Sequence, residues 1–109
     1  MPRSEIILTS KLWNTHHRAA DVEEALDETL RDLGTDYLDL YLIHWPVSFA
    51  KPADKTRHPI NPADGGVHVI DVPIEETWKA MEAQVKKGKV RSIGISNFDR
   101  KRTEEVLKL

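Results

Sequence analysis

The sequence predicts an α/β fold, βαβαβα with parallel strands, and three observations predict it. Short apolar runs bounded by turn residues recur at 6–10, 37–46 and 90–96. Between them lie stretches whose apolar residues return every three or four positions, the period of a helix with one buried face. Each run ends in polar residues: Lys11, His44 and the Ser96-Asn97 couple. Right-handed crossovers between parallel strands bring those ends to one edge of the sheet, where α/β folds bind ligands.

Ile6, Ile7, Leu8, Thr9 and Ser10 form a β-rich first strand ending in Lys11, and the polar stretch 13–18 reads as a loop. From Asp21, the residues Val22, Ala25, Leu26, Leu30 and Leu33 mark one face of a helix of about three turns, stopped by Gly34. The second strand is the clearest. Six of the seven residues from Tyr37 to Ile43 are aliphatic or aromatic, Pro46 stops the run, and His44 comes last. Residues 49–71, rich in Pro, Asp and Gly, read as a long irregular loop of the kind that is functional or mobile. Pro73 suits the first turn of a second helix that buries Ile74, Thr77, Trp78, Met81 and Val85 and closes at Gly88. The third strand leads into a turn at Asn97-Phe98, then to an N-cap at Asp99 and a third helix carrying Thr103, Val106 and Leu107.

Composition narrows the function. A chain of 109 residues, 39% hydrophobic and 31% charged, suits one globular unit. Its net charge of -2 gives no reason to expect nucleic acid or a membrane surface, and the basic run at 86–91 fits a solvated helix end. No apolar stretch is long enough to span a bilayer, and Arg3 and Glu5 interrupt any signal-like start, so a cytoplasmic location is expected. Cysteine is absent, which excludes disulfides and thiol chemistry. Without cysteine or an i,i+4 histidine pair a metal site is not expected; His16 and His17 are adjacent and diverge, while His58 and His68 sit alone in the loop. Neither a Walker sequence nor a GxGxxG fingerprint occurs.

Alternation along the strands puts His44 on one face with Leu42 and Leu40, Lys11 with Thr9 and Ile7, and Ser96 with Gly94 and Ser92. Tyr41, Ile43, Ile93 and Ile95 turn the other way, toward helices, and the small Ser92 and Gly94 fit a crowded barrel interior. Each polar strand end has two roles open to it. Lys11 is a charged terminus kept in water or a catalytic cation; His44 is a hydrogen-bonded core histidine or a group that polarises a carbonyl. Trp13 and Trp45 are core indoles or the walls of an apolar substrate pocket.

Three pieces of the chain resemble the aldo-keto reductase superfamily: Thr9-Ser10-Lys11-Leu12-Trp13; Leu38-Asp39-Leu40-Tyr41-Leu42-Ile43-His44-Trp45-Pro46; and Lys89-Val90-Arg91-Ser92-Ile93-Gly94-Ile95-Ser96-Asn97-Phe98. They stand in family order, with a long loop before Glu75-Glu76-Thr77-Trp78. The resemblance implies a partial (β/α)₈ TIM barrel, residues 1–109 forming an incomplete barrel domain with its third to fifth βα units. It implies reduction of aldehydes or ketones, small-molecule carbonyl substrates, to alcohols by hydride from NADPH (NADP), without metal. By position, Lys11 matches the lysine that lowers the pKa of an acidic tyrosine, and His44 the histidine that orients the carbonyl. Ser96 and Asn97 match the pair that bonds the nicotinamide carboxamide, and Trp13 and Trp45 match substrate-pocket walls.

The family's catalytic aspartate and tyrosine belong to a segment before the first strand, and this sequence starts at Met1. Tyr37 stands at the wrong strand end and Tyr41 faces the helices, so neither replaces the tyrosine. The expectation is an oxidoreductase by descent that is inactive as an isolated chain. The rival is a non-catalytic interaction module whose open sheet edges pair with another chain or with a second copy. A self-sufficient, doubly wound small domain is the third possibility. Open edges matter energetically: each large apolar side chain left wet forfeits roughly 1.5–3 kcal/mol, against a net domain stability of about 5–15 kcal/mol.

Overall fold

The computed structural model describes residues 2–109 and contains five strands and three α-helices. In chain order these are β1 (Thr9–Leu12), α1 (Ala19–Leu33), β2 (Leu38–Ile43), β3 (Ser48–Phe49), β4 (Val69–Ile70), α2 (Ile74–Lys86), β5 (Val90–Ile95) and α3 (Arg100–Leu107). The main sheet is parallel, in the order β1-β2-β5. The molecule measures 49 × 34 × 21 Å. Its shortest extent is that of a sheet carrying one layer of helices, since packed layers lie about 10 Å apart. The core lies between these layers, where Leu12, Tyr41 and Ile43 of the sheet meet Val22, Leu26 and Leu30 of α1 and Ala80 and Met81 of α2. Ile93 and Ile95 pack against the same cluster, on the helix side that strand alternation requires. The three parallel βα units, with helices on one side of the sheet, have the arrangement expected of an arc of a (β/α)₈ barrel. No helix among the described residues is long and apolar enough to cross a membrane.

Several boundaries differ from the sequence expectation, each for a non-local reason. The first strand starts at Thr9 rather than at residue 6. The Asp39 carboxylate accepts the Leu8 N–H at 2.9 Å and pairs with Arg3 at 3.1 Å, so the backbone enters the ladder only afterwards, and Ile7 is left 81% exposed. Helix α1 begins at Ala19, two residues early, because Glu76 in the first turn of α2 accepts the Ala19 N–H at 2.8 Å. That carboxylate does the work of a capping side chain, which Arg18 does not provide. Gly34 ends the helix in the left-handed conformation (φ 70°), its N–H returning to Leu30 and Arg31 carbonyls.

Pro73 precedes α2 as its N-cap, and Gln84 takes the buried place expected of Val85. Leu33 and Leu107, expected on buried faces, are exposed. Asp99 does cap α3, accepting the Arg102 N–H at 2.8 Å.

The long connection is not irregular throughout. Strands β3 and β4 pair antiparallel, an Ile60–Val67 bridge continues the pairing, and a tight turn at 61–66 closes the tip. The connection is therefore a strap doubled back on itself. Ladders of two residues carry too little periodicity to be legible in sequence.

Candidate active site

Register sets out the site. Lys11 pairs with Leu42, and Leu42 with Gly94, as one row across the sheet. Leu12, Ile43 and Ile95 form the next, facing the helices. The ladder runs one step further, His44 N–H donating to Leu12 O at 3.1 Å and Ser96 N–H to Ile43 O at 3.0 Å. Trp13, His44 and Ser96 therefore form the last row, on the face of Lys11, Leu42 and Gly94. Lys11 stands one same-face row deeper than His44, about 6–7 Å along the strand direction. A Cβ at Gly94 would lie 2.8 Å from Leu42 Cδ2, so any larger residue there requires the Leu42 side chain to shift. The three predicted strand ends thus share one edge and one face, with Lys11 recessed.

His44 sits half-buried between two indoles. The Trp13 ring meets it edge-on at 5.2 Å between centroids, and Trp45, 42% exposed, lies nearly parallel to it at 6.1 Å. Partial burial, then the Lys11 and Arg57 cations, hold the His44 pKa below the ordinary imidazole value. The ring is neutral at neutral pH and keeps one N–H to donate.

Asn97 follows in the left-handed region (φ 60°), a conformation asparagine tolerates better than most residues. Its side-chain amide donates to the His44 carbonyl at 2.8 Å and to Ser96 Oγ at 3.1 Å. Both amide hydrogens are engaged within the chain. Asn97 Oδ1 is left to accept, and the Ser96 hydroxyl hydrogen to donate.

The strap adds groups that sequence reasoning left out. Trp13 Nε1–H donates to the Arg57 carbonyl at 2.7 Å, and the Arg57 guanidinium lies 5.6 Å from the Trp13 ring. Phe49 and His58 also stand edge-on to Trp13, at 6.0 and 5.5 Å. His58 is therefore not alone in a loop but part of an aromatic cluster reaching His44. No local signal marked it, because its partner is 45 positions away in the chain. A cleft of about 860 Å³ opens beside this cluster, between α1 and residues 51–57, and reaches Lys11, Trp13 and Arg57.

Beneath the rim, His17 ties three segments together. It is 3% exposed, its Nδ1 is 2.8 Å from Ser48 Oγ, and its carbonyl accepts the buried Thr77 hydroxyl at 2.7 Å. Burial, with the neighbouring His16, pushes its pKa down to about 4. His16 diverges to Thr15 and Glu24. The two tyrosines lie away from the rim. Tyr41 is buried among helix residues, which pushes its phenol pKa up, and Tyr37, just before the other end of β2, has the Arg3 and Arg91 guanidiniums 4.0 and 4.4 Å from its ring. Among the described residues no group of three His, Cys, Asp or Glu side chains is placed to hold a metal ion.

Comparison with known proteins adds three findings. The model of the aldo/keto reductase family matches residues 1–109. Aldo-keto reductase family 1 member A1 of Bos taurus is 49% identical over 107 residues, 98% of this chain and 32% of that protein. An uncharacterized oxidoreductase of Schizosaccharomyces pombe is 50% identical over 109 residues, 33% of its length. Among solved structures, the aldose reductase of Schistosoma japonicum superposes with a TM-score of 0.92 at 44% identity, over 99% of this chain and 35% of that one. That of Giardia lamblia gives 0.93 at 38% identity, over 100% and 35%. The chain spans about a third of the length of the curated relatives it matches.

Proposed function

The chain belongs to the aldo/keto reductase family, and from that membership we propose that it supplies the carbonyl-orienting and nicotinamide-holding parts of a reductase site. The proposed reaction is NAD(P)H-dependent reduction of an aldehyde or ketone to an alcohol. One observation carries it: Trp13, His44 and Ser96 end adjacent strands in one row, with Lys11 on the same face and Asn97 locked beside them.

A neutral His44 donates its N–H to the carbonyl oxygen and fixes the direction of attack, at no cost of desolvating a charge. Lys11 places a cation on the face where negative charge develops on that oxygen. The family resemblance adds that this lysine lowers the pKa of a tyrosine acid. Neither Tyr37 nor Tyr41 is suited to that role, one stacked at the opposite strand end and the other buried against helices. The acid and its aspartate partner are to be supplied from outside these 109 residues.

Ser96 and Asn97 fit a carboxamide, which needs one donor for its oxygen and one acceptor for its nitrogen. The free Ser96 hydroxyl hydrogen and Asn97 Oδ1 are that pair. Bound there, a nicotinamide would supply the hydride. Trp13 and Trp45 wall the apolar body of the substrate.

The test replaces the corresponding third of the Schistosoma japonicum aldose reductase with residues 1–109 and follows NADPH absorbance with a reactive aldehyde. Turnover is expected in the chimera, reduced by about 10²–10⁴-fold by His44→Ala. The isolated chain is expected to turn over negligibly. A chimera indifferent to His44→Ala overturns the assignment. So does first-order turnover by the isolated chain that Lys11→Met abolishes.

A second reading, a non-catalytic module pairing its sheet edges with another chain, draws on the outer positions of β1 and β5 in the main sheet. A discrete oligomer in sedimentation, with no NADPH binding, favours it.

A further inference from the structure

At the edge of the sheet opposite His44, the chain gathers two cations around one phenol. Tyr37 stands in the turn between α1 and β2, just ahead of the ladder. Its carbonyl accepts from the Arg3 guanidinium at 2.8 Å and from the Thr35 hydroxyl at 3.1 Å. Among the described residues its own hydroxyl has no hydrogen-bond partner. The ring instead carries guanidiniums, Arg3 at 4.0 Å and Arg91 at 4.4 Å from its centroid. It is half-buried, whereas Tyr41, the other of the chain's two tyrosines, is buried among helix residues.

The two cations are placed differently. Arg3 is taken up by local bonds, donating to the Ile6 carbonyl and Thr35 Oγ1 and pairing with Asp39 at 3.1 Å. Arg91 is exposed near the start of β5, and among the described residues it has no carboxylate within ion-pairing distance. Asp39 is already engaged by the Leu8 N–H and by Arg3. Asp36, next to Tyr37 in the chain, is exposed, so water and salt screen it. An anion attached to the Tyr37 oxygen would therefore meet one uncommitted guanidinium. A guanidinium already resting on an aromatic ring loses less freedom on binding than a free side chain does. A phosphoryl group is the fitting anion, because it brings nearly two negative charges and three acceptor oxygens that a guanidinium fork can hold in pairs.

We propose that the Tyr37 hydroxyl is a phosphorylation site whose phosphate is held by Arg91. The donor is ATP carried by a protein tyrosine kinase. The phenol oxygen attacks the γ-phosphorus, the bond from that phosphorus to the bridging oxygen breaks, ADP leaves, and the phenol proton passes to the kinase. The stretch from Gly34 to Tyr37 belongs to no ladder, so a kinase can grip it without opening the sheet. Held by Arg91, the phosphate ties the approach to β2 to the start of β5. His44 plays no part, because it follows the same strand at the opposite edge.

The test treats the full 109-residue chain with a broad-specificity tyrosine kinase and ATP, and mass spectrometry locates the phosphate. Label is expected on Tyr37 and not on the buried Tyr41, and Tyr37→Phe is expected to abolish it. Phosphorus NMR then follows the modified chain across pH, native and in concentrated urea. A phosphotyrosine ordinarily loses its second proton near about pH 6. In the native chain that loss is expected at lower pH than in urea, because a neighbouring cation favours the doubly charged form. Arg91→Gln is expected to move it most of the way back, Arg91→Lys to keep part of the difference, and high salt to shrink it. At low salt the phosphate is expected to raise the folded-to-unfolded ratio roughly 3–10-fold in the parent chain and not in Arg91→Gln, read by urea unfolding. Arg91 is exposed on an outer strand and joins no ion pair among the described residues, so its variants retain the fold. Absence of label on Tyr37, or equal label on the two tyrosines, overturns the proposal. So does a phosphate ionisation that is the same in the native chain, in urea and in Arg91→Gln.

Discussion

Protonating His17 should loosen the fold, and the cost can be worked from its surroundings. The ring is buried with one nitrogen on Ser48 Oγ and the other without a partner, so a charged imidazolium has nothing to replace its lost water. Burial lowers the folded-state pKa from 6.5 to about 4, while the unfolded chain keeps the ordinary value. Above the ordinary value both states are neutral and the contribution is complete. As pH falls through that window the unfolded chain takes up a proton that the folded chain refuses, and stability drains away. At about 1.4 kcal/mol per pH unit the total loss is about 3 kcal/mol, of which about 2.5 kcal/mol has gone by roughly pH 4.5. The perturbation is His17→Asn, which keeps a polar group near Ser48 but cannot titrate. Urea unfolding followed by tryptophan fluorescence, at about pH 7 and about pH 4.5, measures both chains. The variant should start less stable yet lose about 2.5 kcal/mol less between the two conditions. Depressed carboxylates such as Asp39 contribute equally to both chains and cancel in the comparison. Equal acid losses in the two chains would refute the burial argument.

Two further outcomes follow from the site and from the helix ends. Removing the Lys11 charge in Lys11→Met relieves repulsion on the His44 imidazolium, so the His44 pKa should rise toward its ordinary value; NMR titration of the ring reads the direction, and an unchanged or lower value contradicts the shared face. Glu76→Ala leaves the Ala19 N–H without its acceptor and should cost about 1 kcal/mol, read by urea unfolding, with Glu76→Gln recovering part of the loss because its amide oxygen can still accept.

How much of this was legible depended on the range over which the determining contacts act. The run from Tyr37 to Pro46 declared itself because both its faces and both its ends are set by its own residues, and β2 lies within it. Parity then set Lys11 with Thr9, His44 with Leu42 and Ser96 with Gly94, each within its own strand, and the register put the three on one face. Parity could not say how strands slide against each other, so the recess of Lys11 by one row appeared only with the register. The start of α1 was misjudged because its cap comes from Glu76, far along the chain. His17 looked like part of a polar loop, and only the closing of β3 and α2 over it makes it a core residue. Local chemistry was readable; borrowed hydrogen bonds were not.

The two halves of the site are held by different kinds of constraint, and that separation has a consequence. Lys11, His44, Ser96 and Asn97 are fixed by strand register and the turn that follows, so moving them means breaking the central ladder. Phe49, Arg57 and His58 ride on the strap, which is held by the His17–Ser48 and Trp13–Arg57 hydrogen bonds, by packing on Trp13 and by the Lys51 and Lys55 ion pairs to α1. A single neutral hydrogen bond contributes only about 0.5–1.5 kcal/mol, whereas ladder and core contacts act together. Loosening either tie should therefore shift Phe49, Arg57 and His58 before it disturbs the strand-end groups. Substitutions at a few strap positions can therefore change the aromatic cluster while the strand ends stay as they are.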